Sequence, residues 1–187
     1  MPQNIYDDPT FFAAYDRMRT HGIALAGALE EPAIRSLLPD VTGMSVLDLG
    51  CGTGVMSRWL IESGADQVTG VDVSELMLAK ASEHQDSRIR YIHKDAESLE
   101  FPEGSFDLVV SSLMFHYIDD LQPVLSSIRR WLKPGGQLVF STEHPIYTAA
   151  QGVHGDQWVK DDSGKNMAWL VDGYSSEGKR VSTWWVD

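Results

Sequence analysis

The stretch VLDLGCGTG, residues Val46–Gly54, decides the fold because it joins a short apolar strand to a turn rich in glycine. Asp48 places one carboxylate near the end of that strand. Gly50, Gly52 and Gly54 can adopt positive φ angles and let a ligand approach the backbone closely. An amphipathic run follows at once and predicts a helix whose N-terminus faces the same ligand. We therefore expect a ligand of adenosine-like shape at this turn.

The spacing of the glycines distinguishes among nucleotides. The dinucleotide fingerprint G-x-G-x-x-G would need glycine or alanine at position 55, where the chain has Val55. A phosphate-binding P-loop would need lysine and then serine or threonine after its last glycine, and Val55-Met56 supply neither. The carboxylate of Asp48 would repel a pyrophosphate and attract a cation. S-adenosylmethionine, which carries sulfonium and ammonium groups, fits this turn best.

The composition is that of one ordinary globular domain. Hydrophobic residues make up 43% and charged residues 22% of 187 positions, and no run approaches the roughly 18 apolar residues of a membrane helix. The stretch MPQNIYDDPTFF is too polar for a secretory signal, and Cys51 is the one cysteine, so we expect a reducing, cytoplasmic location. The formal charge of -12 argues against nucleic acid as a partner. We expect a small-molecule substrate and no membrane partner.

Apolar patterns predict strands that alternate with helices from residue 45 to about residue 143. The predicted strands are 45–50, 67–73, 88–95, 106–113 and 137–143. The predicted helices are 54–63, 75–84 and about 121–132. Gly64 is the expected C-cap of the first helix, Ser74 the N-cap of the second, and the KPGG sequence 133–136 the stop of the third. Such βαβ units predict an α/β fold with a Rossmann-like, doubly wound parallel sheet.

We expect a single domain over residues 1–187. Residues 1–44 are predicted as N-terminal helices, 45–146 as the cofactor-binding core, and 147–187 as an irregular or hairpin-rich segment on the substrate side. The first helix has an aromatic face that either packs on the sheet edge or forms a lid; its members are Phe11, Phe12, Tyr15 and Met18. The last segment contains four of the six tryptophans, which are Trp158, Trp169, Trp184 and Trp185.

Polar residues recur at the predicted carboxyl ends of the strands, where open α/β sheets bind ligands. Asp72 follows the second strand and can accept hydrogen bonds from both hydroxyls of a ribose. Asp95 follows the third strand, from which a carboxylate reaches an adenine amino group. Ser111 ends the fourth strand, and His116 and His144 follow the fourth and fifth strands.

Five motifs, in order, resemble those of the class I S-adenosylmethionine-dependent methyltransferases, and most closely the small-molecule branch called methyltransferase type 11. They are VLDLGCGTG, GVDVSELML, KDAESL, FDLVVSSLMFHYIDD and LKPGGQLVFSTEHPI, and they cover residues 45–146. The resemblance implies S-adenosyl-L-methionine as cofactor and S-adenosyl-L-homocysteine as product. It implies methyl transfer to a small molecule, which the motifs do not identify.

The resemblance also assigns residues to the cofactor. Those implied near its methionine part are Asp48, Gly50, Cys51, Gly52 and Ser111. Those implied around its adenosine part are Asp72, Val73, Met77, Asp95 and Ala96. Tyr6 and Tyr15 would close over it, as N-terminal aromatic residues do in similar enzymes. The residues that could instead have a purely structural role in turns, strand ends or the core are Asp48, Cys51, Asp72, Met77, Asp95 and Ser111.

Methyl transfer from a sulfonium is an in-line displacement with an activated leaving group, so the protein contributes orientation and electrostatics and needs no metal. No histidine or cysteine spacing matches a zinc site. A general base is needed only for a hydroxyl or a protonated amine. His116 and His144 are the catalytic candidates, because histidine titrates near neutral pH. Each could instead order its loop, and Tyr117 and Tyr147 could line the acceptor pocket.

The end of the chain departs from the family pattern. The family normally follows its fifth strand with a helix and an antiparallel strand pair, which residues 147–187 do not resemble. Either the chain is a fragment or another element covers the fifth strand, because an unpaired apolar strand promotes aggregation. We expect a homodimer over this edge or an intramolecular cover. Two other functions stay open: binding of S-adenosylmethionine without methyl transfer, acting through association, and other chemistry with this cofactor or with NAD.

Overall fold

The computed structural model describes residues 4–20, 26–149 and 158–178. The chain divides into two compact units, one up to Thr142 and one from Glu143 onward. The predicted assignment of residues 1–44, 45–146 and 147–187 to parts of one domain remains a prediction.

Five parallel strands form the sheet of the first unit. They are β1 (Ser45–Leu49), β2 (Gln67–Asp72), β3 (Ile89–His93), β4 (Phe106–Ser111) and β5 (Leu132–Phe140). Their order across the sheet is β3-β2-β1-β4-β5, and β1 pairs with β2 on one side and with β4 on the other. This order confirms the predicted Rossmann-like parallel sheet. The carboxyl ends of β1, β2 and β4 therefore lie side by side.

Helices connect these strands and precede the first of them. They are α1 (Pro9–Thr20), α2 (Glu31–Leu37), α3 (Val55–Glu62), α4 (Glu75–Ala81) and α5 (Leu121–Trp131). Short helical turns occupy Ile5–Asp7 and Phe115–Tyr117, and a π-helical turn, Ala26–Glu30, runs into α2. None of the helices in the described ranges is long and apolar enough to cross a membrane.

The helix ends lie where local chemistry favours them. The Ser74 hydroxyl accepts a hydrogen bond from the N–H of Met77 at 3.1 Å and so begins α4, as predicted. Gly64 adopts φ 103° just after α3, but the C-cap is Ser63, one residue before the predicted Gly64. The Asp120 carboxylate begins α5 by accepting a hydrogen bond from the N–H of Gln122 at 3.2 Å.

Apolar side chains cover both faces of the sheet. Val46 of β1 belongs to a cluster with α2 and α3, whereas the next residue, Leu47, belongs to a cluster with α5. In β4, Leu108 and Val109 divide between the two clusters in the same way, and all four side chains are fully buried. Successive residues of a strand point to opposite faces, so a strand buried on both faces is apolar at most of its positions.

The fifth strand corrects a prediction. Helix α5 ends at Trp131, just before the predicted stop at residues 133–136 (KPGG). The strand expected at 137–143 instead runs from Leu132 to Phe140, through the KPGG sequence. The pairing of β4 with β5 shifts register there. A Cβ at Gly136 would lie 3.0 Å from the carbonyl oxygen of Asp107, so glycine permits this close approach. The sequence pattern missed the first part of the strand because proline and glycine are depleted in strands.

Within the described ranges, β5 pairs with β4 alone and forms one edge of the sheet. The homodimer or intramolecular cover expected at this edge remains a prediction. In the second unit, β6 (Trp158–Lys160) and β7 (Asn166–Trp169) form an antiparallel hairpin, in agreement with the predicted hairpin-rich segment. Trp184 and Trp185 fall outside the described residues.

Candidate active site

The glycine-rich turn wraps over the carboxyl ends of β1 and β2. The N–H groups of Gly50 and Cys51 both donate to the carbonyl oxygen of Val71, at 2.8 and 2.9 Å. Gly50, Gly52 and Gly54 have φ angles of 80°, 52° and 75°, in the left-handed region that side chains disfavour. The turn needs glycine at all three positions to keep this course.

The three glycines differ in what surrounds them. A Cβ at Gly50 would lie 2.6 Å from the Cβ and Cγ of Met114, and a Cβ at Gly54 would collide with the Tyr91 hydroxyl. A Cβ at Gly52 would meet only the sulfur of Met77, at 4.0 Å. The backbone at Gly52 is therefore the part of the turn that leaves room for a ligand.

Asp72 joins the end of β2 to this turn. Its Oδ2 accepts a hydrogen bond from the N–H of Gly52 at 2.8 Å, and its Oδ1 accepts one from the N–H of Ser74 at 2.9 Å. Burial raises the pKa of its carboxyl, against the effect of these backbone donors. The residue thus lies at the strand end where the sequence predicted it, beside the open backbone of Gly52.

Asp48 lies deeper than the sequence suggested, inside β1 and 1% exposed. Its Oδ2 accepts a hydrogen bond from the hydroxyl of Ser57, in the first turn of α3, at 2.5 Å. Its Oδ1 is buried and has no hydrogen-bond partner among the described residues. Burial raises the pKa of this carboxyl to about 7; the Ser57 hydroxyl opposes the rise, and the charge of Asp72 adds to it. A cationic group of a ligand would stabilise the ionised form.

The segment from Asn4 to Asp8 crosses the same edge of the sheet, and we call it the N-terminal strap. The Asp7 carboxylate accepts hydrogen bonds from the Ser74 hydroxyl at 2.6 Å and from the N–H of Leu76 at 3.1 Å. At the preceding residue, the hydroxyls of Tyr6 and Tyr117 share a hydrogen bond of 2.8 Å. The strap therefore links the start of α4 to the turn that follows β4.

Aromatic rings pack beneath this strap. The ring of Tyr6 makes edge-on contacts with Phe11, Tyr15 and Tyr117, at centroid distances of 5.4, 5.3 and 6.1 Å. Burial raises the pKa of the Tyr6 and Tyr15 hydroxyls, and the charge of Asp72 acts on both in the same direction. The structure thus brings the two predicted lid residues to the edge that holds Asp72. Closure over a cofactor remains a prediction.

Comparison with known proteins identifies the family. Residues 47–140, half of the chain, match the family model described as "Methyltransferase domain". The chain belongs to the methyltransferase domain family. It is 39% identical to an uncharacterised protein of Haemophilus influenzae over 97% of this chain and 73% of that protein. It is 38% identical to the malonyl-[acyl-carrier protein] O-methyltransferase of Enterobacter lignolyticus, over 59% of this chain and 43% of that enzyme.

Solved structures agree with this assignment. The crystal structure of an S-adenosylmethionine-dependent methyltransferase from Mesorhizobium loti matches with a TM-score of 0.73 and 44% identity, over 83% of this chain and 69% of that one. The predicted class I S-adenosylmethionine-dependent methyltransferase is therefore confirmed, with S-adenosylmethionine as its cofactor. The buried oxygen of Asp48 and the open backbone at Gly52 fit a nucleoside with a positively charged amino-acid end.

Other predicted cofactor residues of the methyltransferase have structural partners in place. Cys51 is buried, and burial raises the pKa of its thiol, as expected of a packed side chain. Met77 is 3% exposed and lies under Gly52. The carbonyl oxygen of Val73 accepts a hydrogen bond from the Asn4 side-chain amide at 3.3 Å. These contacts place the three residues around the turn, and their contact with the cofactor stays a prediction.

Asp95 and Ala96 lie after β3. The Asp95 carboxylate accepts hydrogen bonds from the N–H and the hydroxyl of Ser98, at 2.7 and 2.5 Å, in the manner of a loop acid. Ala96 packs against the core cluster that contains α5. Ser111 is fully buried, and its hydroxyl donates to the carbonyl oxygen of Leu49 at 2.8 Å, which ties β4 to the end of β1. The predicted roles of all three toward the cofactor remain predictions.

The two candidate bases fall in different units. His116 lies in the short turn after β4 beside the Tyr117 ring, with centroids 4.3 Å apart, and burial lowers the pKa of its imidazole. His144 lies in the second unit, where its Nδ1 accepts a hydrogen bond from the N–H of Ile146 at 3.3 Å and its ring stacks on Tyr174. In the described ranges, no group of three or more histidine, cysteine, aspartate or glutamate side chains is placed to hold a metal ion.

Sequence reasoning missed several residues that contact the strand ends: Asp7, Ser57 and Met114, described above, and Glu30, whose carboxylate accepts hydrogen bonds from the hydroxyls of Ser112 and Ser141. Ser57 could have been found, because it falls on the inner face of the helix that follows Asp48. Asp7 and Glu30 lie far in sequence from the residues that they contact, and no local pattern marks them. Met114 reads as an ordinary apolar loop residue.

Proposed function

We propose that this protein transfers the methyl group of S-adenosylmethionine to a small-molecule acceptor bound at the carboxyl ends of β1 and β4. The observation that supports this most is the unpartnered, buried Oδ1 of Asp48 beside the glycine-rich turn, within the described part of the chain. A carboxylate in this position favours a cationic ligand over a pyrophosphate. S-adenosylmethionine carries positive charge and no phosphate, whereas a dinucleotide carries an anionic pyrophosphate.

Charge supports a small acceptor. With 27 acidic and 15 basic side chains, the chain offers little general attraction for the phosphates of a nucleic acid. The Enterobacter relative is named for methylation of an oxygen on a carrier-bound malonyl group. This chain spans less than half of that enzyme, so the relative suggests only a first class of acceptors to test, namely compounds with a free carboxylate.

The protein contributes binding and orientation to the transfer. When bound, S-adenosylmethionine supplies a methyl group on an activated sulfonium leaving group. Asp72 and the backbone of Gly52 would hold the adenosine end, and Asp48 would face the charged end. Alignment of two reactants within one site supplies a large part of the rate enhancement of such displacements.

A base is needed only when the acceptor carries a proton on the reacting atom. Because burial lowers the pKa of His116, its imidazole is neutral at pH 7 and can accept that proton. His144, the other base predicted from the sequence, lies in the second unit and stays a prediction. A carboxylate acceptor would react without either histidine.

The test is turnover with a panel of carboxylic acids, phenols and amines. S-adenosylhomocysteine release and a product one methyl heavier, detected by mass spectrometry, are the expected result. His116→Gln should reduce turnover at least tenfold for a hydroxyl acceptor and leave a carboxylate acceptor unaffected. His84→Gln, which alters an exposed histidine just after α4, is the matched control. Cofactor binding without turnover on any acceptor would instead favour a protein that acts through association.

A further inference from the structure

The turn after β4 holds a residue in a strained backbone conformation. Leu113 has φ 52°, and it is the one non-glycine residue with positive φ in the described ranges. Leucine rarely adopts this conformation, because its Cβ then approaches the following carbonyl oxygen. A strained residue persists only when its surroundings hold it in place.

Hydrogen bonds to Ser141, the residue after β5, hold this turn. The N–H of Leu113 donates to the Ser141 carbonyl oxygen at 3.1 Å and to the Ser141 hydroxyl oxygen at 3.0 Å. The hydroxyl of Ser141 in turn donates to Oε1 of Glu30. The hydroxyl of Ser112 donates to the same oxygen at 2.8 Å. Glu30 lies in the π-helical turn before α2. One of its carboxylate oxygens therefore holds both Ser112, which precedes Leu113 in the chain, and Ser141, which accepts the hydrogen bonds from Leu113.

The conformation of Leu113 decides where the next residue lies. Met114 packs so closely on Gly50 that a Cβ there would come within 2.6 Å of the Met114 side chain. Because β1 and β4 are neighbours, this contact sits where the ends of these strands meet, beside the site of the proposed transfer. A change in the turn would therefore move one wall of the site.

We propose that Glu30 is a positioning residue for methyl transfer: through Ser112 and Ser141 it holds Leu113 in its left-handed conformation and so keeps Met114 against Gly50. Glu30 acts here as a hydrogen-bond acceptor, and its charge is not required. The inference rests on the proposed function, because it assigns the turn to the wall of the site for cofactor and acceptor.

The first test observes the turn without any ligand. Protein labelled with [methyl-13C]methionine gives one methyl signal for each of its seven methionines, and Met114→Leu identifies the signal of Met114. Glu30→Ala should shift and broaden that signal, and Glu30→Gln should preserve it, because the amide oxygen still accepts both serine hydrogen bonds. Glu31→Ala removes an equal charge from the adjacent residue, which pairs with Arg19 and Arg35, and should preserve the signal.

The second test measures calorimetric affinity for S-adenosylhomocysteine. If the turn is correctly formed in about one molecule in ten of Glu30→Ala, affinity falls about tenfold. Glycine accepts positive φ readily, so Leu113→Gly added to Glu30→Ala should restore affinity to within about threefold of the wild type. Ser141→Ala, a smaller change, should resemble Glu30→Ala and serves if Glu30→Ala does not fold.

The outcomes separate the two proposals. Equal Met114 signals in Glu30→Ala, Ser141→Ala and the wild type would overturn the positioning role. The positioning role would also be overturned if Glu30→Gln changed the Met114 signal and the affinity as much as Glu30→Ala does. That result would show that the charge of Glu30 acts directly. A wild type that binds no S-adenosylhomocysteine would contradict the proposed function, while the Met114 signal would still decide whether Glu30 holds the turn.

Discussion

The Oδ2 atom of Asp72 accepts a hydrogen bond from the N–H of Gly52 at 2.8 Å, across 20 residues of chain. This contact couples the end of β2 to the glycine-rich turn after β1. The carboxylate thus fixes the turn, and its predicted second role is to accept hydrogen bonds from a ribose. Its loss should affect ligand binding more than the loss of an acid elsewhere on the sheet.

Asp72→Ala should weaken binding of S-adenosylhomocysteine by roughly 1–3 kcal/mol, as expected for loss of a charged hydrogen-bond partner. Isothermal titration calorimetry measures the effect. Asp107→Asn is the matched control, because Asp107 also accepts a hydrogen bond from a backbone N–H, that of Ser45 at 2.9 Å, but near the amino ends of the strands. Equal affinity of Asp72→Ala and the wild type would contradict the ribose assignment.

Gly50→Ala should destabilise the protein more than Gly135→Ala. Both glycines have similar φ angles, 80° and 83°, so alanine costs about 1–2 kcal/mol of backbone strain at either position. A Cβ at Gly50 would also meet Met114 at 2.6 Å, whereas a Cβ at Gly135 meets nothing within 4 Å. Overpacking should add roughly 1–3 kcal/mol at Gly50, measured as the free energy of unfolding in urea. Equal decreases in the free energy of unfolding for the two variants would show that Met114 moves aside without an energetic cost.

Asp48 should make the stability depend on pH. Burial raises the pKa of its carboxyl from 3.8 in the unfolded chain to about 7. A group whose pKa rises on folding contributes stability that is complete below the unfolded pKa and is lost as pH rises toward the folded pKa. Asp48→Asn does not titrate, so its free energy of unfolding relative to the wild type should increase by roughly 2–4 kcal/mol between pH 5 and pH 8.

The same titration in Asp107→Asn controls for general effects of pH. Lys133 and the N–H of Ser45 lower the pKa of the Asp107 carboxyl, so its contribution is lost only under acid conditions. The difference between this variant and the wild type should stay constant from pH 5 to pH 8. A constant difference for Asp48→Asn over the same range would contradict the assigned pKa of Asp48.

Tyr6 and Tyr117 should act as one unit in holding the N-terminal strap. Tyr6→Phe and Tyr117→Phe each break the hydrogen bond between the two hydroxyls. The double variant should therefore hold S-adenosylhomocysteine no more weakly than either single variant. Each should speed dissociation of S-adenosylhomocysteine up to about fivefold, since one hydrogen bond contributes about 1 kcal/mol. Stopped-flow measurements give the rates, with the exposed Tyr174→Phe as control. Additive effects of the two changes would mean that the hydroxyls act separately.

Local pattern was enough to predict the parts of the fold that depend on sequence neighbours. The strand before Gly50, the cap at Ser74 and the glycine after α3 all follow from residues within a few positions of one another. The shared location of the acids at the strand ends could be predicted from topology, because parallel strands present their carboxyl ends at one edge of the sheet.

Contacts between distant segments could not be read from the sequence. The Asp7 carboxylate meets Ser74 across 67 residues, and Glu30 meets Ser112 across 82 residues. The depth of Asp48 also depends on tertiary packing, since its position near a strand end gave no sign that it would be buried. The hydrogen bonds between Asp95 and Ser98, by contrast, follow a common loop pattern that was outweighed by the family resemblance.

The most direct test is a calorimetric titration of the wild-type protein with S-adenosylhomocysteine and, separately, with NAD. The strand ends bearing Asp48 and Asp72 should bind S-adenosylhomocysteine at one site per chain and give no heat with NAD. A folded protein that fails to bind S-adenosylhomocysteine, or that binds NAD in competition with it, would contradict the assignment of this edge of the sheet to the methyl donor.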